Sequence, residues 1–222
     1  RARAGWALLQ MSARLTASKA GASVAAAILA LAVVAVVVYA GGYDIGQAAT
    51  ALWSGAAGSS YSFLSGTLLR ATPLIIVGLS VAIAFQAGVL NIGAEGQLLA
   101  GASATIAVGL AAAAWPGWIL VPLELAAGMA AGAAWAGVAA ILKRRFGVLE
   151  VISTLMLNFV AIYGVSYLVH GPFQEPTHTY PLTPALGKSA RLPTIVPGQQ
   201  LHLGFVAAVL LAIAAWWFVR SK

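Results

Sequence analysis

The chain has 222 residues, 61% of them hydrophobic and 8% charged, with a mean hydropathy of +0.94. Twelve Lys and Arg against five Asp and Glu give a net charge of +7. A soluble domain clothes its surface with about 25% charged residues, so this composition excludes a soluble globular chain and a disordered one, and predicts an integral membrane protein. The basic excess then belongs to cytoplasmic loops rather than to a nucleic acid partner. No cysteine is present, so neither a disulfide framework nor a cysteine metal site is available.

A helix needs about 20 mostly apolar residues to cross the hydrocarbon core. The first such run is 20–40, too long for a signal-peptide core and read as a retained helix. A less apolar stretch, 44–66, follows, within which 45–53 is predicted as a short interfacial helix. The second run, 71–90, opens on Pro73, a residue tolerated in a first turn. The third is 97–115, ending at a Pro116-Gly117 turn flanked by Trp115 and Trp118 as interfacial anchors. The fourth, 118–142, stops at Lys143-Arg144-Arg145, the fifth is 151–169, and the sixth is 203–219. Between the last two lies a proline-rich external loop, 170–200, long enough to receive a partner.

Spans of this length are helical, because the backbone must satisfy itself in lipid, and the strict alternation of barrel strands is missing. The expected fold is therefore an all-α membrane protein, a polytopic bundle of about six transmembrane helices forming a single domain. With both termini cytoplasmic, Arg1, Arg3, Arg14, Lys19, Lys143, Arg144, Arg145, Arg220 and Lys222 lie inside, and Arg70, Lys188 and Arg191 lie outside or near the outer interface. That asymmetry satisfies the positive-inside rule. In the fourth run Gly128, Gly132 and Ala136 recur every fourth residue, a small-residue pattern that lets helices approach closely.

Polar groups at membrane depth are costly, so each is a functional candidate. The densest cluster is Asn91-Ile-Gly-Ala-Glu95-Gly-Gln97, between the second and third runs. Its glycines, Gly93 and Gly96, permit a broken helix or a re-entrant turn. The alternative is an ordinary cytoplasmic turn with Glu95 favourably placed at the start of the next helix. Asn91, Glu95, Gln97 and Asn158 are candidates to line a pathway; for Asn158, with Ser153 and Thr154 one turn before it, the alternative is interhelical hydrogen bonding. The segment from Lys143 to Asn158 reads as a basic stop, a short amphipathic piece and a new span. It is either a plain anchored loop or a docking surface for a cytoplasmic partner.

Signs of an enzyme are weak. No His-Glu-x-x-His pair or phosphate-binding Gly-Lys-Ser/Thr motif is present. His170, His178 and His202 match no metal-ligand spacing, so no metal site is expected. Of the acids, only Glu95 and Glu124 come near membrane depth, which is few for an ion-coupled secondary transporter or channel, the alternative class.

Three motifs carry a family resemblance. They are Ala71-Thr-Pro-Leu-Ile-Ile-Val-Gly-Leu running on to Ala84-Phe-Gln-Ala-Gly-Val-Leu-Asn-Ile-Gly-Ala-Glu-Gly-Gln-Leu-Leu99, Glu150-Val-Ile-Ser-Thr-Leu-Met-Leu-Asn158, and Tyr167-Leu-Val-His-Gly-Pro-Phe-Gln-Glu-Pro176. In this order they resemble the permease subunits of bacterial ATP-binding cassette importers, within the branched-chain amino acid and simple-sugar permease superfamily and more narrowly its nucleoside branch. Gln86 departs from the family, which often has a basic residue there. The family's chains are also longer, which implies that these residues cover the N-terminal portion of a permease.

The resemblance implies a channel-forming subunit in the bacterial inner (plasma) membrane that moves a nucleoside or simple sugar by alternating access. It implies an ATP-binding subunit that holds ATP and Mg, so that no cofactor sits in this chain. It implies a second permease subunit and an extracytoplasmic solute-binding protein as further partners, and no nucleic acid polymer. Arg144, Arg145, Phe146, Gly147, Leu149, Glu150 and Thr154 would form the segment coupled to the ATPase.

Overall fold

The computed structural model describes the backbone of residues 2–221 and the side chains of residues 21–221. Arg1, Arg3, Arg14, Lys19 and Lys222, which enter the orientation argument, lie outside the described side chains. Among the described residues seven α-helices follow one another: α1 (Ala2–Ala40), α2 (Ile45–Ala57), α3 (Leu69–Gln86), α4 (Ala94–Ala111), α5 (Gly117–Phe146), α6 (Glu150–His170) and α7 (Gly204–Arg220). No strand occurs among the described residues; one isolated bridge joins Thr194 and His202. The chain forms two compact units, Arg1–Phe63 and Leu64–Lys222.

Within the first unit, Gly21–Ala40 is apolar and long enough to span a membrane. Asp44 caps α2, its Oδ1 accepting from the Gln47 backbone N–H at 2.6 Å. This helix begins where the sequence predicts and runs one turn further, since Ser54, Gly55, Ala56 and Ala57 contain no breaker strong enough to stop it.

A π-helical segment, Ser62–Leu68, which enters the second unit at Leu64, leads into α3, and the two together form an apolar span, Ser62–Gln86. Pro73 therefore sits inside the helix rather than in its first turn. Its missing N–H and its ring disturb the bond to the carbonyl one turn earlier, and the wider winding just before it accommodates that defect. Thr72 is buried and donates to the Leu68 carbonyl at 3.0 Å.

Helix α5 continues through Lys143, Arg144 and Arg145 to Phe146, past the predicted stop. Basic side chains in a last turn complement the helix dipole and can extend to the interface, so they do not terminate a helix. Gly147 terminates it, at φ +69°, with its N–H on the Lys143 carbonyl at 2.9 Å and the Val148 N–H reaching Leu142 at 3.4 Å. The link to α6 is only Gly147-Val148-Leu149.

By length and composition, α5, α6 and Ser62–Gln86 can also cross a membrane, and α7 is a shorter apolar helix. Helix α4, with 18 residues, carries Glu95 and Gln97 in its first turns and so is less apolar, yet it holds the centre of the unit. It packs most extensively on α5 and next on α6, while α3 packs on α7. It begins three residues before the predicted 97–115 span and ends at Ala111, four residues short of Trp115. A turn through residues 112–115 then precedes Pro116, the N-cap of α5.

The α4–α5 seam rests on glycine. A methyl group on Gly101 would lie 2.9 Å from the Gly128 carbonyl oxygen, and one on Gly132 would lie 3.2 Å from that of Gln97. The small-residue pattern of the sequence is thus a backbone-to-backbone contact, the kind that drives association where no water is present. Gly101→Val is expected to destabilise the full-length protein by about 1–3 kcal/mol, seen as earlier thermal unfolding in detergent. Gly137→Ala, whose methyl meets nothing within 4 Å, should leave the unfolding temperature unchanged or raise it.

Candidate functional site

Residues 87–93 separate α3 from α4, and their polar backbone must find partners. Helix α3 closes on itself: the N–H groups of Ala87, Gly88 and Val89 reach the carbonyls of Ile83, Phe85 and Ala84. Gly88, at φ +74°, reverses the chain. The Asn91 Oδ1 accepts from the Gly93 N–H at 2.9 Å and from Gln97 Nε2 at 3.1 Å, and Asn91 Nδ2 donates back to Gln97 Oε1 at 3.4 Å. The two amides thus lock the turn to the first part of α4.

The N-cap of α4 is Gly93, which has no side chain to offer the open N–H groups of the first turn. Asn158, from the middle of α6 and 6% exposed, serves instead. Its Oδ1 accepts from the Gly96 N–H at 2.9 Å and its Nδ2 donates to the Ile92 carbonyl at 2.9 Å. Glycine at 93 and 96 makes room for this. A methyl group on Gly96 would lie 2.9 Å from both Asn158 Oδ1 and Trp135 Nε1, and one on Gly93 would lie 3.0 Å from Thr154 Cβ. Ser153 and Thr154 are buried beside Asn158 and return their hydroxyls to the Glu150 carbonyl at 3.1 and 2.8 Å. Trp135 Nε1 is buried there with no hydrogen-bond partner among the described residues.

Glu150 ties three segments together. Its Oε1 forms an ion pair with Lys143 at the end of α5, and its Oε2 accepts from the Leu90 N–H of the connector at 3.4 Å. An open cavity of ≈ 580 Å³ lies at this basic end, with Asn91, Gln97, Lys143, Arg144, Glu150 and Thr154 in its lining. The structure therefore brings together two of the four pathway candidates, Asn91 and Gln97, with three of the coupling candidates, Arg144, Glu150 and Thr154. Asn158 stands behind this wall, clasping the connector. Glu95 is exposed in the first turn of α4, outside the cavity lining. Gly128 and Gly132 lie on the helix seam, and Arg145, Phe146, Gly147 and Leu149 are exposed at the α5–α6 link. No group of three or more metal-ligating side chains occurs among the described residues.

Some partnerships were not visible in the sequence. The Lys143–Glu150 pair could have been inferred only from how short the α5–α6 link is. Trp135 carries no local signal. At the opposite end, Ser65 joins the long loop to the π-helical segment, donating to Gln199 Oε1 at 2.8 Å and accepting from the Gln200 N–H at 2.8 Å.

Several apolar helices, a connector clasped by an amide from a third helix and glycine-mediated seams define a polytopic helical membrane protein. The chain belongs to the family described as "Branched-chain amino acid transport system / permease component", whose pattern matches residues 63–222. It is 38% identical over 190 residues to the guanosine ABC transporter permease protein NupP of Bacillus subtilis, covering 84% of this chain and 54% of that protein. It is 40% identical over 169 residues to the glucose ABC transporter permease protein TsgB13 of Haloferax volcanii, covering 72% and 44%. It is 30% identical over 195 residues to the nucleoside ABC transporter permease protein NupB of Lactococcus lactis, covering 84% and 53%. The chain spans about half the length of these relatives. No solved structure matches it significantly.

The geometry separates Asn158 from Glu95 experimentally. Asn158→Ala leaves the Gly96 N–H and the Ile92 carbonyl without partners, at about 1–3 kcal/mol for each buried group. Thermal unfolding of the full-length protein in detergent should therefore fall clearly, and the 87–93 connector should become sensitive to protease. Glu95→Ala should change neither.

Proposed function

We propose that this chain is part of the membrane-spanning permease of an ATP-binding cassette importer that moves a nucleoside or simple sugar across a bacterial inner membrane. The names of the relatives and the family membership support the class. Nucleotide hydrolysis falls to a separate ATP-binding subunit, which holds ATP and Mg. A second permease subunit completes the pathway, and an extracytoplasmic solute-binding protein delivers the solute to the end that carries the 170–200 loop.

One observation supports the site of ATPase docking. Phe146 and Leu149 are 70% and 68% exposed on either side of the left-handed Gly147, at the end of the bundle marked by Lys143, Arg144 and Arg145. Large apolar side chains beside three cations do not belong in lipid, and their exposure to water fits a surface that a partner covers. Movement there has a direct mechanical route inward. Glu150 is bonded to Lys143 on one side and to the connector at Leu90 on the other, and Thr154 touches the connector at Gly93. A push on the α5–α6 link thus reaches the wall of the basic-end cavity through two polar contacts, as alternating access requires.

In the full-length complex, Arg144→Glu combined with Phe146→Ala should abolish co-purification of the ATP-binding subunit while leaving permease yield and unfolding temperature unchanged. Unaltered association in that double variant would remove the docking assignment.

A further inference from the structure

We infer that residues 186–191 form a plug at the loop end of the bundle, seated by Leu186 in a notch of α4 and able to lift as one body, and that the buried Glu124 carboxyl beneath it keeps the seat poised to open. The segment is bonded to itself. Arg191 donates through Nε at 3.3 Å and Nη2 at 3.1 Å to the Leu186 carbonyl. The N–H groups of Ala190 and Arg191 reach the carbonyls of Gly187 and Lys188 at 3.2 and 3.3 Å. These bonds close the ends of the segment on each other and make it a compact turn.

Its seat is made by shape alone. A methyl group on Gly109 of α4 would lie 2.9 Å from Leu186 Cδ2, so the missing side chain is the notch that receives the leucine. A methyl group on Gly117, at the start of α5, would lie 2.7 Å from the Ser189 carbonyl oxygen. Among the described residues no hydrogen bond joins 184–191 to α4 or α5. The rest of the loop is held differently. The Leu203 N–H reaches the Pro193 carbonyl at 3.0 Å, Thr194 bridges to His202, and Gln199 and Gln200 bond to Ser65. The chain is thus tied down from Pro193 onward, and the plug can swing about Leu192 without breaking a hydrogen bond to the bundle.

What lies beneath Leu186 sets the balance. The same methyl position on Gly109 is 2.5 Å from Glu124 Oε1, so the carboxyl and the leucine meet at one notch. Glu124 is 4% exposed, and its Oε1 has no hydrogen-bond partner among the described residues. Thr105 does not relieve it, since its Oγ1 donates to the main-chain carbonyl of Glu124 at 3.2 Å. Seating the leucine gains the burial of an aliphatic side chain and also keeps a polar oxygen from water, at a cost of the same order. The two effects nearly offset, so neither the seated nor the lifted plug is strongly preferred. Ala190 and Arg191 share the lining of a cavity of ≈ 610 Å³ with Thr105 of α4 and Val121 of α5, so the same movement parts the cavity wall. None of this depends on the importer reading or on which solute is moved.

The test is the distance between spin labels at Lys188→Cys, exposed in the plug, and Met129→Cys, exposed on α5. It uses the full-length complex, freed of any other cysteine and held in lipid nanodiscs. Separate label distances are expected for the seated and the lifted plug. Glu124→Met removes the unpartnered oxygen at similar length and should raise the ratio of seated to lifted plug about tenfold. Glu124→Gln keeps a polar group in the same place and should leave the ratio near that of the labelled parent. Leu186→Ala should lower the ratio about tenfold. The unfolding temperature in detergent checks that each variant is folded, and it should be unchanged or raised in Glu124→Met. A single distance shared by the parent and all three variants would overturn the plug, and a ratio that Glu124→Met leaves unchanged or lowers would overturn the role of Glu124.

Discussion

Asn158 supplies from α6 one hydrogen bond each to the Gly96 N–H and the Ile92 carbonyl, two groups that a continuous helix would have bonded to each other. Where helix bonds are given up inside a packed bundle, another part of the protein has to satisfy the freed groups. The rest of the site follows from that need. Gly96 must be glycine because a methyl group would displace the amide, Gly93 because Thr154 lies against it, and Ser153 and Thr154 turn their hydroxyls back on the α6 backbone so that they do not compete for the connector. Asn91 and Gln97 then close the same turn from within.

The same economy of side-chain volume holds α4 and α5 together. Packing in a membrane relies on close contact and not on the expulsion of water, so the helix at the centre is the one with the smallest side chains, not the most apolar. Gly96, Gly101 and Gly109 are the buried residues of α4, and each faces a different neighbour: Asn158 and Trp135, the Gly128 backbone, and Glu124 with Leu186. This explains why α4, with its polar start, holds a central position that hydropathy alone would assign to α5 or α6.

What was legible in the sequence divides along the same line. The long apolar runs, the small-residue spacing of Gly128 and Gly132, and the density of polar groups from Asn91 to Gln97 depend on neighbours in the chain, and all three are where the sequence places them. Helix ends were less legible, because the cues compete. Pro73 looks like a helix start until a π-helical turn absorbs it, and Lys143–Arg145 looks like a stop although basic residues stabilise a last turn. Partnerships across the bundle were not legible. Asn158 and Gly96 are 62 residues apart, and Leu90 and Glu150 are 60 apart, so no local pattern pairs them. Glu95 and Gln97 read alike as acidic and amide neighbours in one motif. The helical rotation of about 200° between positions two apart is what sends one outward and the other into the cavity wall.

The two polar regions are mounted on a shared frame. Helix α4 contributes Gly93–Gln97 to the connector at its start and Thr105 and Gly109 beside Glu124 towards its end, a helix of about 27 Å at 1.5 Å per residue. Helix α5 contributes Lys143 and Arg144 at one end and Glu124 at the other. Backbone contact at Gly101–Gly128 and Gly132–Gln97 leaves no side-chain layer in which these helices could slide, so the distance between the two regions is set by the pair as a unit. The walls around that unit are held differently. On one side α6 meets it through the paired amide bonds of Asn158, and on the other the long loop packs on it where Leu186 lies against Gly109 and Ser189 against Gly117. Discrete hydrogen bonds can exchange partners, whereas an interlocked backbone seam cannot. A rearrangement at this end of the bundle therefore falls more readily at the α6 hydrogen bonds than along the α4–α5 seam.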